Sequence, residues 1–283
     1  MTSAVHVAPV SGSASSPGSG GATGFAHLLL SEWTKLRSVR STVWSLIVLV
    51  VVSVGFTALF AALTAANWNG PHAAPRDATI LADPVSSILG TGIGLGQLAV
   101  CVLGAMVMTS EYSTGVIRAS LLAVPRRVPM LAAKAVVFAA LIFVVGEIVT
   151  FGSYFLGSTI LHSHVAVSLG QPGVARAVIG TGLALTVLGL FAMAIGALIR
   201  HTAGAIATVI GVVLVLPILT GLLPGSVGAH INAYLPEQAG GLISQAHEQA
   251  GNLLSPWQGF GVFCIWTAVL LAAAAYLLRQ RDA

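Results

Sequence analysis

Glu147 is the only acidic residue inside a long apolar stretch of this sequence, and is the first candidate for chemistry. A carboxyl group in such surroundings can take up and release a proton, and an ionisable residue in a membrane-length segment marks a functional site by default. Counted inward from the ends of their apolar stretches, Gln97 and Thr186 fall at nearly the same depth. We therefore predict an intramembrane polar layer of Gln97, Glu147 and Thr186. Two roles stay open for it: proton-coupled transport, or structural hydrogen bonds between helices worth ~1 kcal/mol each.

Motifs for nucleotide binding, metal binding and catalysis are absent from the sequence. Neither Lys35 nor Lys134 lies in the G-x-x-x-x-G-K-[ST] pattern that cradles the phosphates of ATP. His247-Glu248 lacks the second histidine of an H-E-x-x-H zinc site, and His162 and His164 have no carboxylate or cysteine nearby in sequence. We expect no cofactor or metal on this chain and no enzymatic activity. An integral membrane enzyme acting on lipids stays as an alternative, although the cluster of Asp, His or Lys that it needs is missing.

The composition of the 283 residues excludes a water-soluble protein. Hydrophobic residues make up 56% of the chain and charged residues only 7%, whereas soluble domains carry ~25% charged residues. A helix needs about 20 apolar residues to cross a bilayer, and the apolar stretches lack the period of two that marks barrel strands. The sequence therefore predicts an all-α membrane protein. Its six predicted spans are Val43–Ala66, Val85–Thr109, Met130–Gly157, Ala177–Ile199, Thr202–Leu223 and Trp257–Leu278.

Basic residues gather on one side of the predicted membrane. With the N-terminus in the cytoplasm, only Arg76 and Arg176 of the 12 Lys and Arg residues fall on the outer side. Because Lys and Arg are enriched in cytoplasmic loops, we predict that both termini are cytoplasmic.

The N-terminal region divides into two predicted segments ahead of the transmembrane domain, residues 42–283. Residues 1–24 are rich in Ser, Gly and Ala and carry no charge, which predicts a disordered cytoplasmic tail. Between Phe25 and Arg40 apolar residues recur at helical spacing, with basic residues near the end. This pattern predicts an amphipathic helix over residues 25–41 that lies on the inner membrane surface. A plain extension of the first span is the alternative.

Two connecting segments are unusual. Residues 110–128 carry Glu111, Arg118 and exposed leucines, a pattern that suits either a docking surface or basic residues without a partner. Residues 224–256 have too few apolar residues to span a membrane. They could form short helices that enter the outer leaflet, where protein must shield the backbone, or a solvated loop.

These segments, taken in order, resemble the permease subunits of ABC-2-type exporters. Glu32, Lys35 and Leu36 stand as in the E-x-x-K-L opening of that family. The inner loop is similar to the family pattern E-x-x-x-G-T-[IL]-R, leucines, P-x-R and a lysine, with Val116 where Thr is usual. The matching positions are Glu111, Gly115, Arg118, Leu121, Leu122, Pro125, Arg127 and Lys134.

The resemblance implies the membrane-spanning permease subunit of an ATP-driven exporter in the bacterial plasma membrane. Such a permease pairs with a second protomer, identical or related, and moves a drug, lipid or peptide outward. A separate cytoplasmic ABC ATPase would hold ATP and Mg, and no nucleic acid would be involved. The loop between spans 2 and 3 would be the coupling helix, and re-entrant helices would lie between spans 5 and 6. The implied ATPase-coupling residues are Glu32, Lys35, Glu111, Gly115, Arg118 and Arg127.

Overall fold

The computed structural model describes residues 24–70, 73–113, 127–249 and 251–280. Every regular element within these ranges is a helix. The helices, numbered here in chain order, are α1 (Phe25–Ser38), α2 (Arg40–Ala66), α3 (Ala74–Ala82), α4 (Pro84–Ser113), α5 (Arg127–Leu161), α6 (Val174–Ile199), α7 (Thr202–Gly221), α8 (Gly225–Ala233), α9 (Pro236–Gly241) and α10 (Pro256–Gln280).

Six of these helices, α2, α4, α5, α6, α7 and α10, are long and apolar enough to cross a membrane. The prediction of six helical spans is confirmed. The second span runs on to Ser113 and the third begins at Arg127, so that Glu111 belongs to a helix and not to a loop. The predicted coupling helix, with Gly115 and Arg118, and all but the last residue of the predicted tail lie outside the described residues.

Helices α4 and α6 form the centre of the bundle. In their most apolar windows 56% and 67% of residues are buried, against 22% in α2, α7 and α10. Glycines let the two backbones approach closely. A Cβ atom built on Gly104 of α4 would lie 2.5 Å from the carbonyl oxygen of Gly189, and one on Gly196 of α6 would lie 2.6 Å from that of Ala105. Small residues at such crossings are the usual means of packing membrane helices.

Helix α7 contains a π-helical turn at Gly211–Val215, where the Leu216 amide donates to the Gly211 carbonyl. Pro217 follows directly and has no N–H to donate, so the wider turn adjusts the backbone where the regular ladder is interrupted. The side-chain amide of Asn232 in α8 donates to the Pro217 carbonyl at 2.9 Å and to the Thr220 hydroxyl at 3.0 Å. The last turn of α7 is therefore bonded to α8.

Residues 225–249 fold back onto the bundle. A 3₁₀ turn at Leu242–Ser244 follows α9, and Gly240 packs so closely on the Phe263 ring of α10 that a built Cβ would lie 2.2 Å from it. Two side chains hold the end of this region. The Asp83 carboxylate accepts from the Ala246 amide at 3.0 Å, and Arg176 donates to the Ala246 carbonyl at 3.0 Å. We call residues 225–249 the return segment.

Candidate functional site

Four charged side chains meet where α1 crosses the adjoining ends of α4 and α5. The Lys134 ammonium donates to one carboxylate oxygen of Glu32 and, at 2.7 Å, to Oε1 of Glu111. Lys35 donates to the other oxygen of Glu32 at 2.7 Å and lies 3.7 Å from Oε1 of Glu111. Two positive and two negative groups therefore alternate. We call Glu32, Lys35, Glu111 and Lys134 the buried charge cluster.

Burial makes these contacts strong. The relative exposures of Glu32, Lys134 and Glu111 are 2%, 2% and 8%, while the Lys35 side chain is 36% exposed. Burial alone would raise the pKa of Glu32, but the charges and hydrogen bonds of Lys134 and Lys35 outweigh it and hold that pKa below its ordinary value. Burial likewise opposes the charged form of Lys35, but its bonds with Glu32 and its proximity to Glu111 raise its pKa. Both groups of α1 are therefore held in their charged forms.

The helices place the four groups by their periodicity. Glu32 and Lys35 are three residues apart on α1, which puts them on one face beside the buried Leu36. Glu111 lies in the last turn of α4, and Lys134 lies in the second turn of α5. The cluster thus connects the first helix to two spans.

The turn between α6 and α7 contacts the same end of α4. Arg200, which has a left-handed backbone at φ 61°, places its guanidinium 5.0 Å from the centre of the Tyr112 ring. The Thr202 hydroxyl donates to that of Thr109 at 3.0 Å. A movement of the α4 end would therefore displace groups that contact α1, α5 and the turn before α7.

A cavity of about 370 Å³ opens beside the cluster. Its polar wall includes Lys35, Glu111 and Lys134, and its apolar wall includes Leu103 and Val107. The second carboxylate oxygen of Glu111 is buried and forms no hydrogen bond with a described residue. This end of the bundle is therefore less tightly packed than the α4–α6 centre.

The structure brings together three of the six residues predicted for ATPase coupling, Glu32, Lys35 and Glu111. Gly115 and Arg118 lie outside the described residues, and Arg127 begins α5. The carboxylates of Glu32 and Glu111 point inward onto Lys134. Any effect of these two groups on a partner would therefore pass through the position of α1 and the end of α4. The coupling role stays a prediction.

Glu147 and Thr186 of the predicted polar layer both lie at Gly182 of α6. A Cβ built on Gly182 would lie 2.4 Å from a Glu147 carboxylate oxygen, and the Thr186 hydroxyl donates to the Gly182 carbonyl at 2.9 Å. Both carboxylate oxygens of Glu147 are buried, and within the described part of the chain neither has a hydrogen-bond partner. The missing side chain of Gly182 thus provides the space that the carboxyl group occupies.

Gln97, the third residue of that layer, lies beside Glu237 of the return segment. Burial raises the pKa of Glu237, and a hydrogen bond with the Gln97 side chain offsets part of that rise. The neighbouring Gln238 amide also donates to the Glu237 carboxylate, at 2.9 Å. A second acidic group is therefore packed against a span, carried there by a segment outside the spans.

Lys134 and Glu237 are the polar residues that the sequence did not single out as site residues. Lys134 stands in the sequence analysis only as the lysine that ends the family-like inner-loop pattern, and its contact with Glu32 joins residues 102 positions apart. The one signal that could have pointed to Lys134 was the scarcity of lysine. The whole chain has two lysines, and both lie in the buried charge cluster. Glu237 belongs to residues 224–256, for which the sequence leaves short helices and a solvated loop open, and nothing in the sequence pointed to Gln97. Among the described residues no group of three or more His, Cys, Asp or Glu side chains could hold a metal ion.

Comparison with known proteins supplies the family. A family model described as an ABC-2 family transporter protein matches residues 28–218, a stretch that includes the buried charge cluster, Glu147 and Gln97. No curated protein matches the chain. The family match and the six apolar helices make this a multi-pass membrane protein and a transport permease, not an enzyme. The chain belongs to the ABC-2 family of transporters.

Proposed function

We propose that this permease is the membrane subunit of an ATP-driven exporter, energised by a separate cytoplasmic ATPase that holds ATP and Mg. It works with a second permease protomer and moves a drug, lipid or peptide outward across the bacterial plasma membrane. The observation that carries the proposal is the buried charge cluster. It joins α1 to the ends of two spans, so that a force on α1 or on the segment between α4 and α5 reaches the spans directly.

The proposed orientation follows from the charges. The cluster and Arg200 lie at the end of the bundle where most basic residues of the sequence fall, and such residues favour the cytoplasm. Both termini are then cytoplasmic, and α1 lies on the inner membrane surface with Leu30 and Trp33 exposed toward lipid. The return segment then enters the outer leaflet, shielded by α6 and α10.

Purification from native membranes tests the assembly. A P-loop ATPase should accompany the permease, and its hydrolysis rate should rise when the permease is present. A purified permease that transports substrate in vesicles without any ATPase would refute the proposal.

Glu111→Gln tests the coupling route. It keeps the shape of the side chain but removes the charge that Lys134 and Lys35 contact. The position of α1 relative to the end of α4 should therefore be held less firmly. We expect the protein to insert normally and its affinity for the ATPase to fall about tenfold, a change of about 1.4 kcal/mol. The measurement is binding of the co-purified ATPase to the variant in detergent.

The matched control is Glu248→Gln, the same change at an exposed residue of the return segment. It should bind the ATPase like the wild type. If Glu111→Gln lowers the melting temperature but leaves the ATPase affinity unchanged, the cluster only stabilises the fold and the coupling route is wrong.

A second candidate function, proton-coupled transport, draws on the partnerless carboxylate of Glu147. Under the ATP-driven proposal Glu147 serves packing against Gly182, and Glu147→Gln should transport at the wild-type rate at every pH tested. The measurement is uptake by inside-out vesicles across a pH series. A large loss of transport together with the loss of its pH dependence would favour the proton-coupled mechanism instead.

A further inference from the structure

An open pocket of about 370 Å³ lies at the elbow between α1 and α2. The elbow forms because Val39 takes an extended backbone, φ −83° and ψ 116°, between two helices. We call this concavity the elbow pocket. Its lining residues are Arg37, Ser38, Arg40, Val43 and Trp44.

The elbow pocket carries two positive charges that no described residue neutralises. Arg37 and Arg40 are exposed, and neither forms an ion pair with a described residue. The nearest acidic residue along the chain, Glu32, is occupied by Lys134 and Lys35 on the buried side of α1. An anionic ligand would therefore find both guanidinium groups available.

The floor of the pocket continues the apolar surface of a membrane span. Val43 and Trp44 in the first turns of α2 are 47% and 66% exposed, and Ile47 and Val51 extend the same exposed surface along the helix. A tryptophan at the end of a span prefers the level of the lipid headgroups. In a bilayer, this preference would put the two arginines at the depth of the lipid phosphates, with the exposed apolar surface of α2 directly below them.

We propose that the elbow pocket binds the headgroup phosphate of an anionic phospholipid. Guanidinium groups bind phosphate oxygens in a bidentate manner, and the lipid tail would run along the apolar surface of α2. A zwitterionic lipid carries a positive ammonium group beside its phosphate. Because the two arginines repel that group, such a lipid should bind more weakly. Since the floor continues an exposed apolar surface along a membrane-length helix, a lipid fits the pocket better than a cytoplasmic protein does.

The test uses the full-length permease alone, so its outcome does not depend on an ATPase or a transported substrate. Delipidated protein in detergent is titrated with phosphatidylglycerol or phosphatidylcholine, and bound lipid is counted by native mass spectrometry. The wild type should retain phosphatidylglycerol preferentially. Each arginine removed should weaken this about fivefold, and the double change Arg37→Gln with Arg40→Gln about 30-fold, without affecting phosphatidylcholine.

Two further variants make the result specific. Arg279→Gln, which removes an exposed arginine from the last turn of α10, should retain phosphatidylglycerol like the wild type. Arg40→Lys keeps the charge but not the bidentate geometry, and should bind at an intermediate level. The proposal is overturned if the double variant retains phosphatidylglycerol as well as the wild type does.

Discussion

Replacing Lys134 with methionine should lower the free energy of unfolding by about 3–5 kcal/mol, the usual consequence of removing one partner from a buried ion pair. Methionine fills a similar volume, so the loss reflects charge and not a cavity. Among the described residues, Glu32 and Glu111 would then keep only Lys35 as a basic partner, which lies 3.7 Å from Glu111 and is partly exposed. Denaturation of the purified protein in mixed micelles measures the change.

Two further variants separate charge from packing at Lys134. Lys35→Met should cost less than Lys134→Met, because the Lys35 side chain is 36% exposed and Lys134 would still compensate Glu32 and Glu111. Adding Glu111→Gln to Lys134→Met should recover part of the lost stability, because it removes the uncompensated negative charge. Equal stability of Lys134→Met and the wild type would show that the cluster contributes nothing to folding.

The effect of Lys134→Met should depend on pH. In the wild type the folded-state pKa of Glu32 lies below its ordinary value of 4.5. Its stabilisation is therefore present at neutral pH and is lost as the pH falls below about 4.5 through the folded-state pKa. The variant keeps only the part of this contribution that comes from Lys35. The difference in unfolding free energy between the two proteins should therefore narrow in acid.

A second large effect is expected from Gly104→Ala at the centre of the bundle. The new Cβ would lie 2.5 Å from the Gly189 carbonyl oxygen and 2.8 Å from the Ala192 side chain. Since neither neighbour is the end of a flexible side chain, α4 and α6 must move apart. Overpacking of this kind costs about 1–3 kcal/mol, and thermal unfolding should show a clear drop in melting temperature.

Gly94→Ala is the matched control on the same helix. A Cβ there meets no atom within 4 Å, so the change should be neutral, or stabilise the helix by up to about 1 kcal/mol through propensity alone. If Gly104→Ala and Gly94→Ala have the same melting temperature, the close approach of α4 and α6 at Gly104 is not a determinant of stability.

Apolar length predicted the spans well because crossing a bilayer constrains each helix separately. The first span was predicted at Val43–Ala66 and runs over Arg40–Ala66, and the fourth was predicted at Ala177–Ile199 and runs over Val174–Ile199. The helix ends were less predictable. The polar last turn of α4, with Glu111, carries no hydropathy signal, although its backbone continues the helix.

Contacts between residues that are distant in the sequence could not be predicted from the type and depth of each residue alone. Depth counting predicted one layer for Glu147 and Thr186, and in the structure the Glu147 carboxylate packs against Gly182, whose carbonyl accepts from the Thr186 hydroxyl. It could not place Gln97 beside Glu237, because that pairing depends on how the return segment folds back. The ring of alternating charges around Lys134 likewise depends on the angle at which α1 crosses two spans, which the sequence pattern leaves undetermined.

The π-helical turn in α7 has a mechanical consequence. The residues after it are fastened to α8 through Asn232, whereas Thr202 before it is bonded to Thr109 of α4. The two ends of one span are therefore attached to different parts of the protein, with an irregular turn and a proline between them. Bending at Gly211–Val215 would let the far end of the span swing with the return segment while the near end stays in place. The two halves of this helix can therefore change their relative angle at the π-helical turn, whereas a regular helix would move as one rigid body.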